Sequence, residues 1–287
     1  MAAAYSSEAE ELVLGRDVSI GDGTRISGGR IVIQDLSRVG RNVEIHVDDE
    51  LVLGRNSKVG DFSIIRGRKI HTAREFYANH HAEIGGGSCF EGSSQLEIGY
   101  WFHIGSFAIV NTAMAVRIGN EVGLGRMTNI YTHGAYLSEI DGFPVQFAPV
   151  TIGDRVWIPS ATVNPGVSIG DDVVIGAGSV VTHDIPSGSL AMGVPCRVVK
   201  ARAYPSPLGE LETLRRVHGI LDRAGVAYEH DSNDHVVIVS TACFDLKDRT
   251  IEGHANGMTE RARDLLRRHG LRFKVDVVEN EYCPWSK

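Results

Sequence analysis

The stretch that decides the fold is residues 150–181, VTIGDRVWIPSATVNPGVSIGDDVVIGAGSVV, where isoleucine returns at a spacing of six: Ile152 and Ile158, then Ile169 and Ile175. An α-helix repeats near 3.6 residues and a strand near two, so a spacing of six fits neither. Repeats this short are typical of a β-solenoid, in which about three six-residue units close one triangular coil. Their aliphatic side chains point inward and are buried when coils stack. The stretch therefore predicts a parallel β-helix.

The same spacing extends toward the N-terminus. Ile118 and Leu124 are six residues apart, and each is followed by glycine. The pattern is weaker over residues 12–97, where the first coils would lie. The chain has 33 glycines, which suits corners that need backbone torsions other residues avoid. A β-helix is accordingly predicted over residues 1–203.

Three segments make this pattern recognisable. PVTIGDRVWI (149–158), NPGVSIGDDVVIGAGSVVTHDIPSGSLAMGVPCRVVKAR (164–202) and NIYTHGAY (129–136) resemble the hexapeptide-repeat acyltransferases. The similarity is greatest to the branch containing the galactoside, maltose and xenobiotic acetyltransferases. The resemblance implies a left-handed parallel β-helix, acetyl-CoA as acyl donor, a small-molecule acceptor, and a homotrimer with active sites between neighbouring subunits.

Composition narrows the function classes. The net charge of −7 over 287 residues argues against a general nucleic-acid binder, which would show a basic surface. The first twelve residues, MAAAYSSEAEEL, contain acidic side chains and no apolar run, so neither a signal peptide nor a membrane span is expected. The four cysteines show no close pairs and are interpreted as free thiols. These features favour a cytoplasmic protein.

A second domain is predicted over residues 204–287. The segment YPSPLG at 204–209 indicates a boundary through its prolines. Ser206 and Pro207 favour the start of a helix, and Gly225 suits its end. A hairpin around Ser232–Asp234, a second helix near 259–269 and a final strand complete an α-β-β-α-β order, typical of a small α+β domain. Its role stays open between trimer contact, acceptor choice and docking of a donor carrier.

Residues 132–149, THGAYLSEIDGFPVQFAP, interrupt the repeat and are expected to leave the solenoid at a corner. Loops of this length in compact folds usually carry function. His133 begins the loop and matches the catalytic histidine of the resembled family. Histidine suits a general base because its ordinary pKa is about 6.5. The resemblance implies that His133 takes the proton of an acceptor hydroxyl or amine while that atom attacks the thioester of acetyl-CoA. Glu139 or Asp141 would hold the other ring nitrogen, or would be solvated loop carboxylates.

Further site residues are carried over from the resemblance position by position. Trp157 matches a tryptophan near the catalytic histidine and the pantetheine arm, with a subunit contact as the alternative. Arg197 and Lys200 would pair with CoA phosphates, or would be ordinary solvated charges. The predicted CoA-binding residues are Trp157, Ser160, Ala177, Thr182, Arg197 and Lys200, and the predicted acceptor-binding residues are His103, Asn111 and Tyr131.

Two positions depart from the family pattern. Pro159 follows VWI where relatives commonly have glycine, and the stretch from Ile158 to Ile169 spans 11 residues, one fewer than two hexapeptides. An irregular corner is therefore predicted near residues 159–165. His183 stands where relatives often carry lysine, which weakens the expected attraction for CoA phosphates.

Two other functions are open to the same fold. A carbonic anhydrase of the γ type needs three histidines from adjacent coils on one zinc ion, and His81 and His103 are poorly placed to join His133. No metal is therefore expected. The adjacent His80 and His81 would point to opposite sides of a strand and are interpreted as a corner that contacts a partner subunit. The second alternative is a non-catalytic solenoid that acts as a scaffold or binds a sugar.

Overall fold

The computed structural model describes residues 5–230 and 235–285. The chain divides between Pro205 and Ser206 into two compact units. The predicted mainly β fold class is confirmed: the first unit is a parallel β-helix of about nine turns, and the second is a small α+β unit. Among the residues described, no helix is both long and apolar enough to span a bilayer.

The strands of the first unit are short except in its first four coils. The strands up to the ejected loop are β1 (Ser6–Leu14), β2 (Ser19–Ile20), β3 (Arg25–Ile33), β4 (Arg38–Val39), β5 (Glu44–Leu53), β6 (Lys58–Val59), β7 (Ile64–Thr72), β8 (Phe76–Ala78), β9 (Glu83–Gly85), β10 (Gln95–Ile98), β11 (Phe102–Ile104), β12 (Ile109–Asn111), β13 (Val116–Ile118), β14 (Gly123–Leu124) and β15 (Asn129–Ile130).

The remaining strands begin with the ejected loop. They are β16 (His133–Gly134), β17 (Gln146–Phe147), β18 (Val150–Ile152), β19 (Trp157–Ile158), β20 (Ala161–Val163), β21 (Ser168–Ile169), β22 (Val174–Ile175), β23 (Ser179–Val181), β24 (Leu190–Met192) and β25 (Arg197–Lys200). A short 3-10 helix, Glu139–Asp141, lies within the loop.

Parallel pairing arranges these strands into three faces. The first face contains β10, β13, β18 and β21, and the third contains β9, β12, β15, β20 and β23. The second face runs from β2 through β4, β6, β8, β11, β14, β19 and β22 to β24. Strand β7 pairs with β9 through Ile64 and Ile65 and with β10 through residues 69–72, so it spans the third and first faces. From β8 to β15, by contrast, each strand lies on a single face.

The interior of the prism is built from the repeated aliphatic positions. On the second face, Ile104, Leu124, Ile158 and Ile175 are fully buried and lie in successive coils. Burying one such side chain contributes roughly 1.5–3 kcal/mol. Because each ring is covered only by its neighbours, stacking supplies most of the stability of the unit.

The predicted irregular corner is confirmed. Between the second and third faces, four residues link β11 to β12 (105–108) and four link β14 to β15 (125–128), whereas only Pro159 and Ser160 link β19 to β20. The regular corners each contain a residue in the left-handed region, Phe107 and Met127, with φ of 59°. The short corner contains none, because it is one residue shorter between Ile158 and Thr162 than between Leu124 and Asn129, their partners in the preceding coil.

The second unit has more strands than the sequence predicts. Its elements are α1 (Glu210–Arg223), β26 (Glu229–His230), β27 (Val236–Val239), β28 (Ala242–Asp245), β29 (Thr250–Gly253), α2 (Gly257–Arg268), β30 (Val275–Val278) and β31 (Glu281–Pro284). The predicted α-β-β-α-β order missed β28, β29 and β31, since strands of four residues carry little periodicity. The turn predicted at Ser232–Asp234 lies outside the described residues.

The helix starts also differ from expectation. Ser206 and Pro207 do not begin the first helix, which starts at Glu210 after Gly209, without a side-chain cap. By contrast, Asn256 caps α2, its side-chain oxygen accepting from the backbone N–H groups of Met258 and Thr259 at 2.9 and 3.0 Å. A side-chain cap therefore forms at α2, where the sequence analysis named none, and is absent at α1, where it named Ser206.

We expect Asn256→Ala to loosen the first turn of α2. Loss of such a cap costs about 1 kcal/mol, so exchange of the Met258 and Thr259 amides should be about fivefold faster. Hydrogen-exchange mass spectrometry of peptides from this turn measures the change. Asn256→Asp is the control, since its carboxylate still accepts from both amides; equal exchange in the alanine variant and the wild type would contradict the assigned cap.

Candidate active site

The site is built around His133, where the chain leaves the third face. Strand β15 ends at Ile130, and after the buried Thr132 the chain enters the hairpin formed by β16 and β17. His133 pairs with Phe147 in this hairpin, and their rings stack with centroids 5.5 Å apart and an interplanar angle of 24°. Antiparallel pairing thus fixes the backbone of His133, and Phe147 covers one face of its ring.

A buried amide lies beneath the histidine. Asn111, at the end of β12, is 3% exposed. Its Nδ2 donates to the carbonyl oxygens of Gly85 at 3.1 Å and Gly87 at 3.4 Å. Its Oδ1 accepts from Thr132 Oγ1 at 2.7 Å and from the Ala113 backbone N–H at 3.3 Å. Because carbonyl groups surround one end and donors the other, the orientation of the amide is determined by its surroundings.

This amide determines the tautomer of His133. The Nδ1 atom of His133 lies 2.9 Å from Asn111 Oδ1. An amide oxygen only accepts, so Nδ1 must carry the proton and donate it. In the neutral ring Nε2 then holds the free lone pair. Among the residues that the structure describes, no hydrogen bond is made to Nε2, so this atom is available as a base.

Neither loop carboxylate takes the role of orienting the ring. Glu139 and Asp141 lie in the exposed 3-10 helix of the hairpin. Since His133 Nδ1 already donates to Asn111, these residues correspond to the solvated carboxylates that the sequence allowed. Asn111 orients the ring instead. The sequence analysis named this residue but expected it to contact the acceptor.

The predicted acceptor residues are not brought together. Asn111 is buried and directed at His133, away from solvent. His103 lies on the second face and stacks on Tyr77 at 5.3 Å. Tyr131 is adjacent to the site and is 36% exposed. Tyr131, two residues before His133 in the sequence and partly exposed, therefore stays a predicted acceptor contact.

The predicted CoA residues are distributed over two corners and one face. Ser160 and Ala177 lie at the corner between the second and third faces, in consecutive coils, where the Gly178 N–H donates to the Ser160 carbonyl at 2.7 Å. Trp157 lies on the second face, 44% exposed, with its ring over Gly123. Thr182 follows the third face, as His133 does.

The basic candidates lie at the C-terminal end of the solenoid. Arg197 and Lys200 bound β25, which pairs antiparallel with β24, and both are exposed. Arg197 Nη1 donates to the carbonyl of Cys196 at 2.9 Å. His183, at the position where relatives often carry lysine, has its Nδ1 2.8 Å from Thr182 Oγ1. The side chains of Arg197 and Lys200 are thus accessible to anions.

The histidines do not converge on one point. His81 stacks between Phe62 and Phe107 at 5.2 and 4.9 Å, on the corner before the third face. His103 lies on the second face, and His133 lies after the third. Within residues 5–230 and 235–285, no three His, Cys, Asp or Glu side chains form a group able to hold a metal ion. This placement differs from the arrangement that a γ-type carbonic anhydrase needs, in which three histidines bind one zinc ion.

Comparisons with known proteins agree with the repeat pattern. Residues 149–183 match the family model described as bacterial transferase hexapeptide (six repeats). Galactoside O-acetyltransferase of Escherichia coli (strain K12) is 62% identical over 53 residues, which is 18% of this chain and 26% of that protein. The resemblance to hexapeptide transferases is therefore confirmed over this part of the chain.

Solved structures cover more of the chain at lower identity. The polysialic-acid-specific acetyltransferase NeuO is 21% identical, with 77% of this chain and 99% of that chain covered and a TM-score of 0.44. A galactoside acetyltransferase in complex with coenzyme A is 26% identical, with 58% and 66% covered and a TM-score of 0.32. The chain spans 26%, 56% and 27% of the lengths of the first three curated relatives.

Proposed function

We propose that this protein is an acyltransferase that moves an acetyl group from acetyl-CoA directly to a hydroxyl or amine of a small acceptor, with His133 as general base. The observation that carries the proposal is the 2.9 Å contact between His133 Nδ1 and Asn111 Oδ1. It holds the ring as the tautomer whose Nε2 can accept a proton.

The proton follows one path through the reaction. Nε2 of His133 takes the proton of the acceptor O–H or N–H as that oxygen or nitrogen bonds to the thioester carbonyl carbon. The carbon–sulfur bond then breaks, and the imidazolium returns the proton to the departing CoA sulfur. Throughout, Nδ1–H keeps its bond to Asn111, whose neutral amide orients the ring. A positioned base of this kind contributes typically 10²–10⁴-fold to the rate.

The donor is inferred from sequence and from the corner that holds Ser160 and Ala177. The relative named galactoside O-acetyltransferase is 62% identical over its matched segment. Ala177 is exposed and small, so an extended pantetheine arm can approach the backbone of the corner closely. Arg197 and Lys200 offer exposed cations for phosphate groups beyond it. We therefore assign acetyl-CoA to this side of the solenoid.

A second copy of the chain would complete the site. His133 follows the third face, whereas Ser160 and Ala177 precede it. The three residues of β20 between these corners alone span roughly 10 Å. The donor candidates Ser160 and Ala177 are thus on the opposite side of a face from His133 of the same chain, and the corner of a neighbouring β-helix beside His133 would bring them together. This arrangement supports the homotrimer that the resemblance implies.

Calorimetric titration with acetyl-CoA tests the donor assignment. We expect the wild type to bind acetyl-CoA and Ala177→Phe to bind it at least about tenfold more weakly, because the ring occupies the path of the pantetheine arm. Ser168→Phe is the control, since Ser168 is also exposed but lies on the first face of the same coil. Absence of binding in the wild type would instead favour the non-catalytic scaffold.

A further inference from the structure

The corner between β9 and β10 is longer than the corners that link β12 to β13 and β20 to β21. It contains nine residues, Gly86–Ser94, whereas four residues link β12 to β13 and four link β20 to β21. The segment is held at several points: Arg68 Nη1 donates to the Gly92 carbonyl at 2.8 Å, and the Cys89 side chain is 1% exposed. Burial raises the pKa of the Cys89 thiol, so it stays protonated at neutral pH and acts as an anchor.

Gly87, which belongs to this corner, lies beside the edge of the His133 ring that carries Nε2 and Cε1. A Cβ atom placed on Gly87 would lie 3.4 Å from Nε2 and 3.6 Å from Cε1, and no other atom is within 4 Å of that position. A general base needs the acceptor atom about 2.6–3.2 Å from Nε2. A side chain on Gly87 would therefore crowd the space through which that atom must approach.

The backbone does not explain why this residue is glycine. The φ of Gly87 is outside the left-handed region, so an L residue can adopt its conformation. The preceding Gly86 differs, because its φ is 102° and a Cβ there would lie 2.9 Å from Asn111 Nδ2. Glycine at position 86 meets a conformational need, whereas glycine at position 87 leaves space beside Nε2.

We propose that Gly87 sets the steric limit for the acceptor, leaving enough room beside Nε2 for a hydroxyl on a branched carbon, that is, a secondary alcohol. The inference rests on the proposed function, in which Nε2 of His133 is the base. A primary hydroxyl or amine, carried on an unbranched carbon, needs less space and reaches Nε2 even when the gap is narrowed. Gly87 is thus a specificity-determining residue rather than a catalytic one.

Reactivity of Nε2 toward diethyl pyrocarbonate tests the gap without any acceptor. Peptide mass spectrometry follows carbethoxylation of His133 in the wild type, Gly87→Ala and Gly87→Val. We expect the rate to fall about threefold in the alanine variant and about tenfold or more in the valine variant. Gly134→Ala and Gly92→Ala are controls, because a Cβ at either position meets nothing within 4 Å. Equal rates in all five proteins would overturn the steric role of Gly87.

Product analysis then tests the acceptor class. With acetyl-CoA and methyl β-galactoside, NMR of the products distinguishes acetylation of the primary from that of the secondary hydroxyls. We expect the secondary-to-primary ratio to fall about tenfold in Gly87→Ala and to stay unchanged in both controls. An unchanged ratio in an active Gly87→Ala enzyme, or wild-type products limited to the primary ester, would refute the proposal. Slowed carbethoxylation in the Gly87 variants, with no acetyl transfer by the wild type to any acceptor, would instead refute the proposed function and leave the gap at Nε2 established.

Discussion

Replacing His133 with glutamine should lower the rate of acetyl transfer by about 10²–10⁴-fold while leaving acetyl-CoA affinity within about twofold of wild type. Glutamine can keep a hydrogen bond to Asn111 but cannot accept the acceptor proton at neutral pH. The loss should therefore be confined to kcat, since the interaction it removes exists only as the proton moves. Initial rates with saturating acetyl-CoA, together with calorimetry, separate the two quantities.

The control for this substitution is His71→Gln. His71 is half-buried on the first face, where its Nε2 lies 2.6 Å from Glu50 Oε2, whereas His133 follows the third face. We expect its acetyl-transfer rate to stay within about twofold of wild type. If His133→Gln retains more than about a tenth of wild-type activity, another group removes the proton and the mechanism proposed for this site is wrong.

The fold was predictable because its signal is repeated. Most coils place Ile, Val or Leu at the same inward positions, so an error at one corner does not change the interpretation of the next. The shortened corner at Pro159 was predictable for the same reason, since the missing residue shifts the count between Ile158 and Ile169. Short strands in the second unit lack such repetition, which explains why β28, β29 and β31 were missed.

The site was only partly predictable. His133 could be identified because it opens the interruption of the repeat, but its contact with Asn111 joins residues 22 positions apart. Counting one coil backward from Tyr131 leads to Asn111, yet the direction of each side chain depends on the corner geometry. Whether Asn111 faces an acceptor or the histidine is decided by the backbone groups of Gly85 and Gly87, which no sequence motif identifies.

We expect Asn111→Leu to lower kcat by about 10- to 100-fold with little change in acetyl-CoA affinity, because it removes the group that orients the base. Without an acceptor at Nδ1, the proton is free to move to Nε2, and the ring populates the tautomer that cannot accept a second proton there. Nitrogen-15 NMR of histidine-labelled protein reports the tautomer directly: Nδ1–H should dominate in wild type and Nε2–H should appear in the variant.

Asn120→Leu separates this positioning role from a general loss of packing. Asn120 also links successive coils, accepting from the Tyr100 N–H at 3.1 Å and donating from Nδ2 to Asp154 at 3.2 Å, but it lies at the corner between the first and second faces. Both leucine variants should lower the melting temperature, since each leaves polar groups without partners. Only Asn111→Leu should change the His133 tautomer. If its activity falls while Nδ1–H persists, then Asn111 stabilises the corner without orienting the base, and the tautomer argument for His133 fails.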